Sequence, residues 1–206
     1  MHPKSTQTIS SAVLGTNSWS RTKLDSHVDP PVVGMNARIV KYMNREVTVS
    51  GFSDTLGSIS KVPVVQAAVI YDCEHSGKSY DLYINNALFI KSMIYNLISP
   101  FLMRLNGLDV NECPKIMAKH PDESHYSIHF PDVELRIPLQ LDKTTSYIQT
   151  RMPMDEDISN QMERLDLAPD AEEWNSHDNS YGDQERAMMD FHGNDVPKKK
   201  KADDFL

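Results

Sequence analysis

Cysteine is almost missing from this 206-residue chain: there are two, Cys73 and Cys113, with no CxxC pair and no histidine at zinc-ligand spacing. That excludes a disulfide scaffold and a structural zinc site, and it fits a reduced intracellular compartment. Long apolar runs are missing too. None approaches the roughly 18 residues of a membrane-spanning helix, and the opening MHPKSTQTISSAVLG has no signal-peptide core. A cytoplasmic or nuclear protein with no membrane partner is expected. Aromatic residues make up 8% of the chain, apolar residues 39%, and mean hydropathy is −0.48, so part of the chain contributes nothing to a core. Basic residues are outnumbered, 21 to 29, giving a net charge of −8 that argues against nucleic acid as a partner. The imbalance is local: residues 1–150 hold 14 basic and 14 acidic side chains, and residues 151–206 hold 7 and 15.

What is present points to one main domain, all-β with a single short helix. Residues 1–22 are Ser/Thr-rich and read as a mobile leader. Short apolar runs rich in Val, Ile and Tyr follow, at residues 37–42, 46–50, 63–71, 79–90, 125–130 and 133–139. Their length and composition favour strands. Val133, Leu135, Ile137 and Leu139 alternate with polar residues, and Pro138 marks an edge strand. Tyr126, Ile128 and Phe130 alternate in the same way, and Pro131-Asp132 between the two runs predicts one hairpin over 125–138. Asp72–Lys78, with Gly77, predicts another hairpin loop. Ser99, Pro100 and Gly107 supply the cap, first residue and stop of a one- or two-turn helix. After about Arg151 core periodicity fades. The chain divides into the leader, a β domain over 23–115, a β-hairpin extension over 116–150, and an acidic, largely disordered tail over 151–206.

Leu24-Asp25-Ser26-His27 is the most informative stretch. A carboxylate on a tight turn with a hydroxyl beside it is what aspartic proteolysis requires, although an Asp-Ser pair by itself is also ordinary turn chemistry. Further on, Val49-Ser50-Gly51-Phe52-Ser53-Asp54-Thr55-Leu56-Gly57 is a strand opening into a glycine-bracketed loop. Asn86-Ala87-Leu88-Phe89-Ile90 and Tyr95-Asn96-Leu97-Ile98-Ser99 come next, the latter leading into the short helix.

This order resembles the retropepsin domain of copia-type retrotransposon polyproteins, and within it the subgroup whose turn reads LDSHAD; LDSHVDPPVVGMNARIV is similar to that segment. The resemblance covers about residues 20–150. It implies a retropepsin-like acid-protease barrel in which Asp25 is the catalytic carboxylate and Ser26 its neighbour. Gly51, Phe52 and Gly57 would form the flap over a substrate groove, and Leu97 and Ile98 would support the turn. Each such chain carries one aspartate, so activity implies a homodimer acting on a polypeptide, with no cofactor and no metal. His27 stands where the usual pattern has glycine. No integrase or reverse-transcriptase sequence follows, so a fragment of a polyprotein is expected. A different function on the same fold is a catalytically inactive, retrotransposon-derived interaction module.

Other chemistry is weaker. Asp25, His27 and Asp29 alternate, but three ligands within five residues beside Pro30 make a poor metal cage. His120, His125 and His129 read as solvent-facing, the last two on the polar face of the predicted hairpin. Tyr80, Tyr83, Phe89, Tyr95 and Phe101 read as core or dimer-interface residues. Lys198, Lys199, Lys200 and Lys201 after Pro197 form a nuclear-import candidate or a solvated charge run.

Overall fold

The computed structural model describes residues 19–51, 55, 57–159, 162–170, 180–188 and 194. The chain divides into two units, Met1–Glu172 and Glu173–Leu206. In the first unit strands dominate, as the apolar runs predict.

Strand β1 (Trp19–Leu24) alternates, turning Ser20, Thr22 and Leu24 inward. β2 (Val32–Val33) is a buried two-residue strand. The runs at 37–42 and 46–50 are one strand, β3 (Arg38–Ser50), because the break between them is absorbed as a register shift around Asn44, whose φ is +52°. β3 pairs antiparallel with β4 (Ser58–Asp72), whose inner half from Val64 to Tyr71 is buried except at Gln66. Such a run is apolar on both faces because both faces are covered. β5 (Ser79–Phe89) returns antiparallel through the predicted 72–78 loop, where Gly77 has a φ of +68°. After β6 (Asn96–Ile98), helix α1 (Pro100–Leu105) starts on Pro100, and Gly107 follows it with a φ of +83°. Ser99 takes the extended cap conformation without a side-chain capping bond, and Met103 points fully into the core.

β7 (Asp109–Asn111), β8 (Ser127–Phe130) and β9 (Leu135–Pro138) form a small antiparallel sheet in the order β7-β8-β9. Pro138 does end an edge strand, and the 125–138 hairpin forms through a single tight turn at Pro131–Val133. β10 (Gln140–Asp142) and β11 (Thr145–Arg151) belong to the main sheet, ordered β10-β11-β1-β6-β2-β5-β4-β3. A further ladder contact from Arg151 on β11 to Ile70 on β4 brings the path back on itself, so β11, β1, β6, β2, β5 and β4 form a ring.

Three expectations about boundaries need correction. The leader ends earlier than residue 22, since Trp19 to Lys23 pair with Arg151 to Tyr147. The 116–150 segment is no appendage: β11 is the antiparallel neighbour of β1. The tail begins later than 151, because α2 (Asp155–Ser159) and β12 (Arg164–Asp166) belong to the first unit. β12 runs parallel to β5, and Leu165, Leu167 and Ala168 are buried in the main core. Each partner lies far away in sequence, so composition alone gave no sign of the pairing. In the second unit, α3 (Ser180–Met188) is a helix with no buried residue, and Arg186 pairs with Asp183 one turn earlier. The Lys198–Lys201 cluster lies outside the described residues. Among the described residues no helix is long and apolar enough to cross a membrane.

Candidate active site

Asp25 immediately follows the last residue of β1. Thr22, Lys23 and Leu24 pair in parallel with Asn96, Leu97 and Ile98 of β6, and the Asp25 amide extends that ladder by donating to the Ile98 carbonyl at 3.0 Å. On its other side β6 pairs antiparallel with β2 through Leu97 and Val32. One short strand is thus inserted between the strand entering the Asp25 turn and the strand leaving it. Of the two residues expected to support the turn, Ile98 accepts the Asp25 amide, and Leu97 pairs with Lys23 of β1 and Val32 of β2.

The turn closes when the Val28 amide donates to the Asp25 carbonyl at 3.3 Å. Inside it the His27 amide donates to Asp25 Oδ1 at 2.9 Å, which orients the carboxylate, and the Asp25 side chain keeps 38% of its exposure. His27 itself projects outward, 94% exposed at the side chain, with Nδ1 3.6 Å from Asp25 Oδ1 and 3.3 Å from Ser26 Oγ. The His27 side chain therefore points into solvent and not into the turn.

Beneath the turn lies a polar chain that sequence reading missed. Asn96 Oδ1 accepts the Gly34 amide at 3.0 Å, Asn96 Nδ2 donates to Thr22 Oγ1 at 3.3 Å, and Thr22 Oγ1 bonds Thr150 Oγ1 at 3.1 Å. All three side chains are fully buried. The chain ties together β1, β6, β11 and the exit of β2, so the turn stands on a floor whose polar groups are satisfied. Its sequence signal is a polar residue at an inward position of an alternating strand, as at Thr22. Gly34 completes the floor, since a Cβ there would lie 2.2 Å from the Met93 carbonyl oxygen.

The hairpin of β3 and β4 carries the predicted flap. Ser50 pairs with Ser58, and the Gly51 amide donates to the Gly57 carbonyl at 3.2 Å. Gly57 has a φ of +69°, the left-handed conformation that glycine adopts without strain. Phe52 lies outside the described residues. A second apolar cluster links this hairpin to the turn. Buried Val32, Val62, Val64 and Leu88 are its centre, and half-buried Val28, Val47, Val49 and Leu97 pack against it.

Among the described residues no group of three or more His, Cys, Asp or Glu side chains is placed to hold a metal ion. The histidines are more engaged than the sequence reading expected. His129, with 17% of its side chain exposed, lies 3.1 Å from Asp109 and 3.7 Å from Glu134, and His125 lies 2.9 Å from Asp122. Tyr80 is core, Tyr83 stacks under Arg164 at 4.1 Å, Tyr95 lies 4.2 Å from the Lys23 ammonium, and Phe101 is half exposed. Compared with protein-family models, curated proteins and solved structures, the chain finds no match.

Proposed function

We propose that this chain is an aspartic endopeptidase of retropepsin type and retrotransposon origin, active as a homodimer. One observation carries the reading: Asp25 sits at the end of a strand whose ladder with β6 continues into its own amide, which fixes a partly exposed carboxylate on a bonded turn. The long hairpin ending at Gly51 and Gly57, and the apolar cluster it shares with the turn, are what a covered peptide groove requires.

Each subunit supplies one Asp25, so a twofold axis at the turn builds the site. Two carboxyl groups about 3 Å apart do not both ionise, and the pair shares one proton. The ionised member takes a proton from water as the oxygen attacks the peptide carbonyl. The protonated member donates to that carbonyl oxygen, and collapse of the tetrahedral species returns a proton to the leaving amine. Apolar surface suited to a second copy lies beside the β2–β6 pair. Met35 and Ile94, 51% and 55% exposed, are brought together by the Met35 amide on the Met93 carbonyl and by Asn36 on the Ile94 carbonyl.

The second reading, an inactive interaction module on the same fold, is favoured by His27, whose imidazole stands beside the carboxylate that would have to approach its twin. Incubating the full chain and its Asp25→Asn variant with an unstructured peptide library near pH 5 separates the two. Cleavage lost in the variant supports the protease. Absence of cleavage, or cleavage unchanged in the variant, ends it, as does a strictly monomeric protein in sedimentation.

A further inference from the structure

Arg21, Arg38, Arg104, Arg151, Arg164 and Arg186 each hold a carboxylate. Arg136 does not. Half-buried on β9, it donates from one terminal nitrogen to Ser127 Oγ at 3.0 Å, and among the described residues no carboxylate pairs with it. A guanidinium has five N–H donors in a fixed plane, so among the described residues most of its capacity is uncommitted. Its head is nevertheless held in place, because buried Ser127 in turn donates to the Ser124 carbonyl at 2.9 Å.

Arg136 lines a cleft of about 580 Å³ together with Arg104, Gly107, Asp109, Asn111 and Ser124. The acidic side chain in this lining, Asp109, lies 3.1 Å from His129 Nδ1, and Arg104 holds Glu112 beside the cleft at 3.0 Å. Arg104 also donates to the Val110 carbonyl at 2.8 Å, which holds it against β7. The volume falls in the usual range for small-molecule sites and exceeds what a lone ion fills. None of these residues belongs to the Asp25 turn or its floor.

We propose that this cleft is a binding site for a small molecule bearing an oxyanion, a phosphate or carboxylate, with Arg136 as its anchor and Arg104 as a second donor. A planar guanidinium fixed by one bond presents its remaining edge for two parallel N–H···O bonds, the arrangement that favours such groups over chloride. Binding is independent of proteolysis and persists in the Asp25→Asn variant.

The test is an NMR titration of the isotope-labelled full chain at constant ionic strength, with inorganic phosphate in one arm, succinate in the other and chloride as control. Saturable shifts confined to the amides of residues 107–111 and 124 and to the Arg136 side chain are expected, and the arm that saturates at lower concentration names the oxyanion. Arg136→Gln abolishes them, and Arg136→Lys weakens binding about tenfold, because an ammonium offers no planar fork. Should Arg136→Gln not fold, Asn111→Asp places a carboxylate in the wall instead and also abolishes binding. The proposal is overturned if neither probe saturates, or if the shifts survive in whichever of these two variants folds.

Discussion

Asn96 donates to Thr22 across 3.3 Å with both side chains fully buried, and its carbonyl oxygen accepts the Gly34 amide at 3.0 Å. One amide side chain therefore joins the strand that carries Asp25 to the strand that leaves the turn. Asn96→Ala strands the Gly34 amide and removes a partner of Thr22, at a cost of about 1–3 kcal/mol. The urea midpoint falls with an unchanged slope. Under the protease reading kcat falls more than KM, because the turn loosens while the groove remains.

Gly34→Ala is more severe. The new Cβ meets backbone at Met93, 2.2 Å from the oxygen and 2.8 Å from the carbonyl carbon, and no side-chain rotation relieves that clash. A loss of at least about 1–3 kcal/mol is expected, read as a lower melting temperature or loss of soluble protein. Gly182→Ala is the contrasting substitution. Its Cβ would meet nothing nearer than the Arg186 side chain at 3.6 Å, and in helix α3 the change stabilises local helix by about 1 kcal/mol. Circular dichroism distinguishes the two.

The structured unit extends past residue 150, and Leu167 measures by how much. It is fully buried, its amide bonds the Tyr83 carbonyl at 2.8 Å, and Leu167→Ala costs about 2–5 kcal/mol. Truncation after residue 115 removes β11, the antiparallel partner of β1, and yields no cooperatively folding protein by thermal or urea denaturation.

Acid acts on two carboxylates in opposite senses. Arg151 bonds Asp157 at 2.5 and 2.9 Å and Asp72 at 2.7 and 3.1 Å. The Arg151 hydrogen bonds hold the Asp157 carboxyl below the ordinary carboxylate range, against the opposing effect of burial. A depressed pKa stabilises the fold above the unfolded value near 4, and that contribution is lost as pH falls through the folded value. Asp81 is pushed up, first by burial, with Arg164 opposing it and Asp157 adding repulsion; among the described residues its buried Oδ1 has no hydrogen-bond partner. A raised pKa costs stability above it and returns that stability as pH falls. Asp81→Asn therefore raises the melting temperature at neutral pH, an advantage that shrinks on acidification. Asp157→Asn lowers it at neutral pH and converges with the parent in strong acid.

The parts of the fold legible in the sequence are those held by near neighbours. The helix from Pro100 to Gly107, the loop at 72–78 and the hairpin over 125–138 each rest on cap, turn or alternation signals within a few residues of the structure they specify. Asp25 and Ile98 were legible as a pair only through the order of motifs. The segments whose place was not legible are residues 19–22, β11 and residues 164–168, short stretches whose partners lie far off along the chain.

The sequence by itself determined the β character and the short helix, because period, turn chemistry and capping are local properties. Tertiary structure alone decided which strands flank the Asp25 turn, and that Asn96, Thr22 and Thr150 form its floor. It also decided that Arg136 meets no carboxylate among the described residues and that β12, Leu167 and Ala168 belong to the first unit. Those outcomes depend on strand register and on which polar groups are buried together, and both are settled only when distant segments pack.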